Sequence, residues 1–417
     1  MAYATRKPAR YLAAFILIAL AGFVLRVHRL TDYPLYTDEV INGEIVQNML
    51  AGDFSLRYDW GAGREPMFNL SEVLAVLALG DNVLALRWPA VLYGMVFIAL
   101  VYVWAAWLTG SRMAGLFAAG LAGVLWWPLA FSRMAIRTIT LPFCIVLALM
   151  GLWRGLYGPA RHARRNFALG GVAAGLTQYT FTAALGFPVV LVAFLAYLWL
   201  ADRATWRARW RGIALYALAA VAVAGPFLLY VYTSPDLTWR MGMVNQPVEA
   251  LRAGDPGPLL DGMLKTLGMF WGPGDHVWFY NLPGRAVFEP PALALFLVGA
   301  LVCAWWALRA GRNRRRAPAG ALLLLLGLVM LAPSAATDAP PSTHRAIGAL
   351  PAVLVIAAVP LAALEHALRG RQRALLAIGA AAALAVTGVA VAGDYFGVWI
   401  DHPRPGVDDV SLVRGDG

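Results

Sequence analysis

Charge is scarce in this chain. Only 14% of its 417 residues are Asp, Glu, Lys or Arg, against about 25% in a soluble domain. That shortage argues against an ordinary water-solvated globule. The 60% of hydrophobic residues beside it points to lipid as the solvent of most of the chain. A soluble chain of this length would split into two or three domains; here a single membrane bundle is expected. Cysteine is rarer still. Cys144 and Cys303 both lie in apolar runs, so they read as small buried hydrophobes rather than a disulfide or a metal site. No repeat of about 20–50 residues and no low-complexity tract is found.

What the chain does have is long apolar runs. A helix needs about 20 apolar residues to cross a bilayer. Such runs lie near 11–28, 88–109, 113–131, 138–157, 167–181, 184–201, 212–232, 290–308, 319–335, 346–364 and 374–393. The fifth and sixth are short and interrupted by Thr177-Gln178-Tyr179-Thr180. The first follows Arg6, Lys7 and Arg10 and resembles a signal peptide, but no small-x-small cleavage site follows it. It is read as an uncleaved first helix. The expected architecture is an all-α integral membrane bundle of about eleven transmembrane helices over 1–393, with a short polar tail over 394–417.

The net charge of +11 raises nucleic acid as a partner, and its distribution removes it. With the N-terminus placed in the cytoplasm, 20 of the 34 basic residues fall in short cytoplasmic connections, as the positive-inside rule requires. Of the 23 acids, only Asp202 and Glu365 fall on that side. Acids contribute little to orientation, so their asymmetry points to function outside. Two outer segments are long, 29–87 and 233–289. The first holds nine carboxylates between Asp32 and Asp81. It also has amphipathic stretches at 40–51 and 67–79, which read as interfacial helices. Asp38 would cap the first of them. The second segment is rich in Gly, Pro and Trp and reads as loops with short helices.

Five outer constellations can carry chemistry. Asp38-Glu39 follows the first span; burial would raise the pKa of one carboxyl toward a general base, and a favourable first-turn acid is the bland reading. Arg64-Glu65-Pro66 precedes a helix start and is a solvated pair in isolation. Arg133 and Arg137 stand four apart, on one face if helical; they are either snorkelling side chains or a bidentate phosphate clamp. Gly274-Asp275-His276 and Asn281-Leu282-Pro283-Gly284 carry turn chemistry, and one Asp-His pair is slight grounds for a metal. Ser342-Thr343-His344-Arg345 opens a span, where a helix N-terminus attracts anions.

In this order, Asp38-Glu39, Arg64-Glu65-Pro66-Met67-Phe68, Ala85-Leu86-Arg87-Trp88-Pro89, Ser132-Arg133, Asn281-Leu282-Pro283-Gly284 and His344-Arg345-Ala346-Ile347-Gly348 resemble the GT-C glycosyltransferases. These use polyprenyl-phosphate-linked sugars. The nearer relatives are protein mannosyltransferases, lipid A aminoarabinose transferases and their family 39-like bacterial cousins. The resemblance covers roughly residues 10–370. It implies Asp38 as catalytic base, Glu39 holding the acceptor or tuning Asp38, and Arg133, Arg137 and Arg345 binding the lipid phosphate. Arg64, Glu65, Asp275, His276, Asn281 and His344 are further site candidates. No obligatory cofactor is expected. A divalent metal is compatible with the resemblance, although the outer histidines His28, His276, His344 and His402 are few.

The implied reaction is a single inverting displacement on the extracytoplasmic side of the plasma membrane. The acceptor is a hydroxyl of a protein, lipid or glycan. The alternative is a transporter or flippase, which would place ionisable residues inside spans and show related halves; the spans here read as nearly free of charge. A non-catalytic anchoring protein would leave the outer acids and arginines unexplained.

Overall fold

The computed structural model describes residues 8–58, 63–233, 246–309 and 315–402. These residues are overwhelmingly helical, with one isolated bridge between Tyr58 and Arg64 and no strand. The helices are α1 (Pro8–Val27), α2 (Thr37–Leu50), α3 (Met67–Leu79), α4 (Val83–Thr109), α5 (Arg112–Val124), α6 (Trp126–Phe131), α7 (Thr140–Tyr157) and α8 (Ala160–Leu176). They continue with α9 (Phe187–Ala201), α10 (Arg203–Thr233), α11 (Gln246–Arg252), α12 (Gly257–Gly268), α13 (Pro290–Leu308), α14 (Arg316–Ala335), α15 (Leu350–Ala367) and α16 (Gly370–Asp394).

Among the described residues, nine helical segments are long and apolar enough to cross a membrane, and the protein is an integral, multi-pass membrane protein. The expectation of about eleven spans is therefore not reached by length. The run at 113–131 breaks at Leu125 into α5 and the short α6. The run at 167–181 ends its α-helix at Leu176 and continues as a 3-10 turn over Thr177–Tyr179.

The bundle is layered by burial. α15 is the central helix, with 89% of its apolar window buried, whereas α1 has only 11% and lies at the rim. Alanine and valine dominate the buried face of α15, and small residues let helices approach closely in lipid. The α7–α8 contact is closer still: a Cβ on Gly151 would collide with the backbone of Gly170.

Contacts sort the connections onto two ends. At the basic end, Glu365 meets Tyr11, Ser111 and Arg373, tying α1, the α4–α5 joint and the α15–α16 joint together. At the other end lie α2, α3, the 132–137 turn, the 269–289 loop and the 336–346 loop. α2 and α3 form helices over most of the stretches expected at 40–51 and 67–79. Asp38, however, is not the cap of α2. Tyr36 holds that position, and Glu39 supplies the carboxylate that accepts from the Tyr36 backbone N–H at 2.9 Å.

Three further expectations change. Arg133 and Arg137 do not share a helix face, because α6 stops at Phe131 and Ile136 is extended (φ −127°, ψ 140°). The spans are not free of charge: Arg26 and Arg87 are fully buried within α1 and α4. The polar tail begins later than 394. A π-helical turn over Tyr395–Trp399 follows α16, with Tyr395 and Trp399 buried; residues 403–417 lie outside the described residues.

Arg133 shows where the bundle uses its inner cations. It donates to the carbonyls of Leu25, Arg26, His28 and Arg29 at 2.5–3.2 Å. The last carbonyls of a helix have no partner within it and attract cations. Arg133 is thus the cap of α1, with both terminal nitrogens committed to those carbonyls rather than to a phosphate. Arg133→Ala is expected to lower stability by roughly 3 kcal/mol, the scale of one or two charge-assisted hydrogen bonds, measured as thermal unfolding in lipid nanodiscs. Unchanged melting with lost donor binding would return Arg133 to the phosphate role.

Candidate active site

Asp38 and Glu39 are neighbours in sequence and opposites in role. Successive residues on a helix are about 100° apart, so only one can face inward. Glu39 does. Its carboxylate takes both arms of Arg87, Nε at 2.8 Å and Nη2 at 2.9 Å. It also accepts from the Ala135 backbone N–H at 2.8 Å. Arg87 spends its remaining donors on the carbonyls of Leu30, Tyr33 and Pro34 and lies 3.7 Å from the Tyr33 ring centroid. Glu39 has no capacity left for an acceptor; it is the fastening of α2 to α4.

Asp38 remains a quarter exposed. Its Oδ1 receives Arg64 Nη2 at 2.5 Å, and its Oδ2 receives the Tyr280 hydroxyl at 3.2 Å. Arg64 is buried and braced by Asn42 Oδ1 at 3.2 Å, one helical turn beyond Asp38. Glu65, beside it in sequence, turns to Arg137 Nε at 2.6 Å and to the Thr182 hydroxyl at 2.8 Å. Arg137 keeps Nη2 buried and without a hydrogen-bond partner.

A second clamp brings the late loops to this group. Asp275 Oδ2 accepts from both the backbone N–H and the hydroxyl of Thr343 at 2.8 Å, and its Oδ1 accepts from Val277 N at 2.9 Å. Asn281 closes the same loop onto the carbonyls of Asp275 and Arg285. His344, next to Thr343, is thereby stacked on Tyr280 at 4.5 Å and against Phe131 and Phe181. Arg345 is partly buried; its guanidinium makes no hydrogen bond among the described residues. His276 points to solvent and stays outside the group.

The electrostatics follow from burial and these neighbours. Burial alone would raise the Asp38 carboxyl, but Arg64, then His344 and Arg137, outweigh it and hold the pKa at about 2. Burial holds His344 down at about 3 against the pull of Asp38. His344 is therefore uncharged near neutral pH, and the arginines are what stabilise the Asp38 anion there. Glu65 is buried too, and Arg137 first, then Thr182, keeps its pKa low. Burial raises the Tyr280 phenol, so it stays protonated and donates. Among the described residues, no group of three or more His, Cys, Asp or Glu is placed to hold a metal ion.

The structure thus gathers Asp38, Arg64, Glu65, Arg137 and His344 with Arg345 beside them, uses Asp275 and Asn281 as bracing, and separates Glu39 and Arg133. Sequence reasoning missed Tyr280, Asn42 and Thr182. Asn42 had a signal, four residues from Asp38 on one helix face.

No family model and no curated protein sequence matches this chain. Solved structures do. The ArnT aminoarabinose transferase from Cupriavidus metallidurans bound to undecaprenyl phosphate superposes with TM-score 0.56 at 16% identity, over 95% of this chain and 66% of that one. Its apo state gives 0.60 at 17%, over 93% and 65%. The archaeal oligosaccharyltransferase AglB from Archaeoglobus fulgidus, in complex with an inhibitory peptide and a dolichol-phosphate, gives 0.62 at 15%, over 96% and 57%. This chain has a GT-C-type fold. It spans about two thirds or less of the length of these GT-C neighbours.

Glu39→Ala leaves Arg87 buried without its carboxylate and is expected to cost about 3–5 kcal/mol. Asp38→Asn, at a partly exposed position, is expected to stay folded; comparing the two by thermal unfolding separates fastening from chemistry. The pH dependence has a definite sign. The folded pKa of Asp38 is depressed to about 2. Its ion pair therefore contributes stability above the unfolded value, near 3.9, and loses it as pH falls toward 2. Asp38 should give no acid limb in kcat/KM between about pH 5 and 8; a limb in that window that vanishes in Asp38→Asn would contradict this.

Proposed function

We propose that this protein is a membrane glycosyltransferase that moves a sugar from a polyprenyl-phosphate donor to an acceptor hydroxyl, with Asp38 as the base. The observation that supports this best is the meeting of a partly exposed carboxylate with arginine side chains that have donors to spare. Arg137 holds a buried nitrogen with no partner, and the half-buried Arg345 guanidinium makes no hydrogen bond among the described residues. Both are suited to an anion, and Arg forks onto phosphate oxygens.

In the reaction, the bond between the anomeric carbon and the phosphate oxygen breaks, and its electron pair leaves on the phosphate. The acceptor oxygen bonds to the anomeric carbon from the opposite face, and its proton passes to Asp38. One displacement inverts the configuration. Phosphate leaves readily, so no acid is needed to protonate it, unlike the two-carboxylate glycosidases. Arg137 and Arg345 stabilise the charge that grows on the leaving phosphate. Glu65 orients Arg137, Arg64 fixes Asp38, and Glu39 and Arg133 hold the frame. On this reading the N-terminus lies in the cytoplasm and the site on the outer side of the plasma membrane, which the Arg-rich short connections support.

A transporter would use charges free to change partner along a path. Two arginines buried inside the spans are tied instead: Arg26 to the carbonyls of Gly22, Ala122 and Gly123, and Arg87 to Glu39. That favours the enzyme.

The test is a panel of polyprenyl-phosphate sugars presented to the full chain in liposomes with candidate acceptors. Wild type is expected to cleave one of them, and Asp38→Asn to lose at least a hundredfold in kcat, within the range for a general base. Arg345→Ala and Arg137→Ala are each expected to raise the donor KM or Kd about tenfold or more. Donor cleavage undiminished in Asp38→Asn would remove the reading, and so would solute movement across vesicles with no cleavage.

A further inference from the structure

We infer that the Tyr280 hydroxyl occupies the acceptor's place on Asp38 and guards the base from water until an acceptor displaces it. The inference rests on the glycosyl-transfer reading and names a specificity device within that site.

Both oxygens of the Asp38 carboxylate are taken. Oδ1 holds the Arg64 guanidinium at 2.5 Å, and Oδ2 holds the Tyr280 hydroxyl at 3.2 Å. An acceptor that gives its proton to Asp38 must first donate a hydrogen bond to one of them, at about 2.6–3.2 Å. Oδ1 is the poor choice. Its bond is short and charge-assisted, and Arg64 is only 2% exposed and braced by Asn42. Charge-assisted bonds are roughly twice as strong as neutral ones. Oδ2 carries the longer bond to a neutral phenol. A phenol O–H, like an alcohol acceptor, offers one donor, one oxygen and no charge.

The ring of Tyr280 is held without help from its hydroxyl. It stacks on Phe131 at 5.5 Å with planes 14° apart, and on His344 at 4.5 Å with planes 11° apart. Its loop is fixed by Asp275 and Asn281. The hydroxyl also has a second place to go, since Tyr36 is a hydrogen-bond partner within reach. Moving the O–H from Asp38 to Tyr36 frees Oδ2 and leaves the stacked ring where it is.

The consequence is discrimination between water and acceptor. With donor bound, water on an open Oδ2 would attack the anomeric carbon: its oxygen bonds to the carbon, the carbon–phosphate-oxygen bond breaks, and the proton goes to Asp38. The activated sugar is lost by hydrolysis. Water displacing the phenol gains no more than the one bond it replaces. A larger acceptor gains further contacts with the site and so displaces the phenol more readily. Binding energy is then used to open the base only for the right partner.

The test is Tyr280→Phe in the full chain in liposomes, with the donor that wild type cleaves. The stacked ring is retained, so thermal unfolding should be nearly unchanged. Hydrolysis without acceptor is expected to rise roughly tenfold, the scale of one hydrogen bond to a carboxylate. The ratio of transfer to hydrolysis should fall by a similar factor, with donor KM unchanged. Wild-type hydrolysis in the variant, or hydrolysis and transfer reduced together, overturns the inference. If the Phe variant is not recovered folded, Tyr280→Met is apolar and without a hydroxyl, and the same ratio decides. If wild type cleaves no donor, the glycosyl-transfer reading itself fails. If wild type transfers sugar and the ratio does not move, only the guard fails.

Discussion

The bidentate bond between Glu39 and Arg87 is the constraint on which the acidic end of this bundle depends. Both side chains are essentially fully buried. A pair of ions withdrawn from water is tolerable only when geometry is good and every remaining donor and acceptor is used. Here Arg87 reaches back to three carbonyls of the 30–34 segment, and Glu39 also holds the backbone of Tyr36 and Ala135. One pair therefore sets the exit of the chain from α1, the start of α2, the top of α4 and the turn before α7. Once these are set, Asp38 can face only one way, toward the loops that carry Arg64, Tyr280 and His344.

The same economy explains why some arginines form structure and others form a site. Arg26, Arg87 and Arg133 meet backbone carbonyls or a buried carboxylate, with most of their donors spent. Arg64 is divided between Asn42 and Asp38. Arg137 gives one nitrogen to Glu65 and keeps another unpaired in a buried setting, an arrangement that is costly unless a ligand completes it. Arg345 stands partly buried, and its guanidinium makes no hydrogen bond among the described residues.

Much of the frame was legible in the sequence, because apolar length and Arg placement in short loops follow from the bilayer itself. That α2 and α3 are helices was legible from their apolar spacing. The partners were not. Arg87 looked like a loop residue because hydropathy does not show that a carboxylate 48 positions upstream neutralises it. Asp38 and Glu39 could not be told apart, because adjacent residues on a helix differ only in which faces the core, and that is settled by Arg87. Arg133 and Arg137 seemed one clamp because i, i+4 spacing presumes a helix, and the extended Ile136 breaks it. Asp275 read as a turn residue, because its partner Thr343 lies 68 residues away.

A carboxylate held at a pKa of about 2 is a weak base, and on the glycosyl-transfer reading its own neighbours resolve that difficulty. A general base works best with a pKa near the ambient pH. After Arg64, the persistent charge that depresses Asp38 at neutral pH is Arg137, since His344 is uncharged there. A donor phosphate seated on Arg137 brings negative charge beside that cation and cancels part of its field at Asp38. The leaving phosphate, with a second charge, cancels more. Asp38 therefore grows more basic as the sugar–phosphate bond lengthens, which is when the acceptor hydroxyl becomes acidic through its partial bond to carbon. Basicity is coupled to donor cleavage through one guanidinium, and an unloaded site keeps its carboxylate inert.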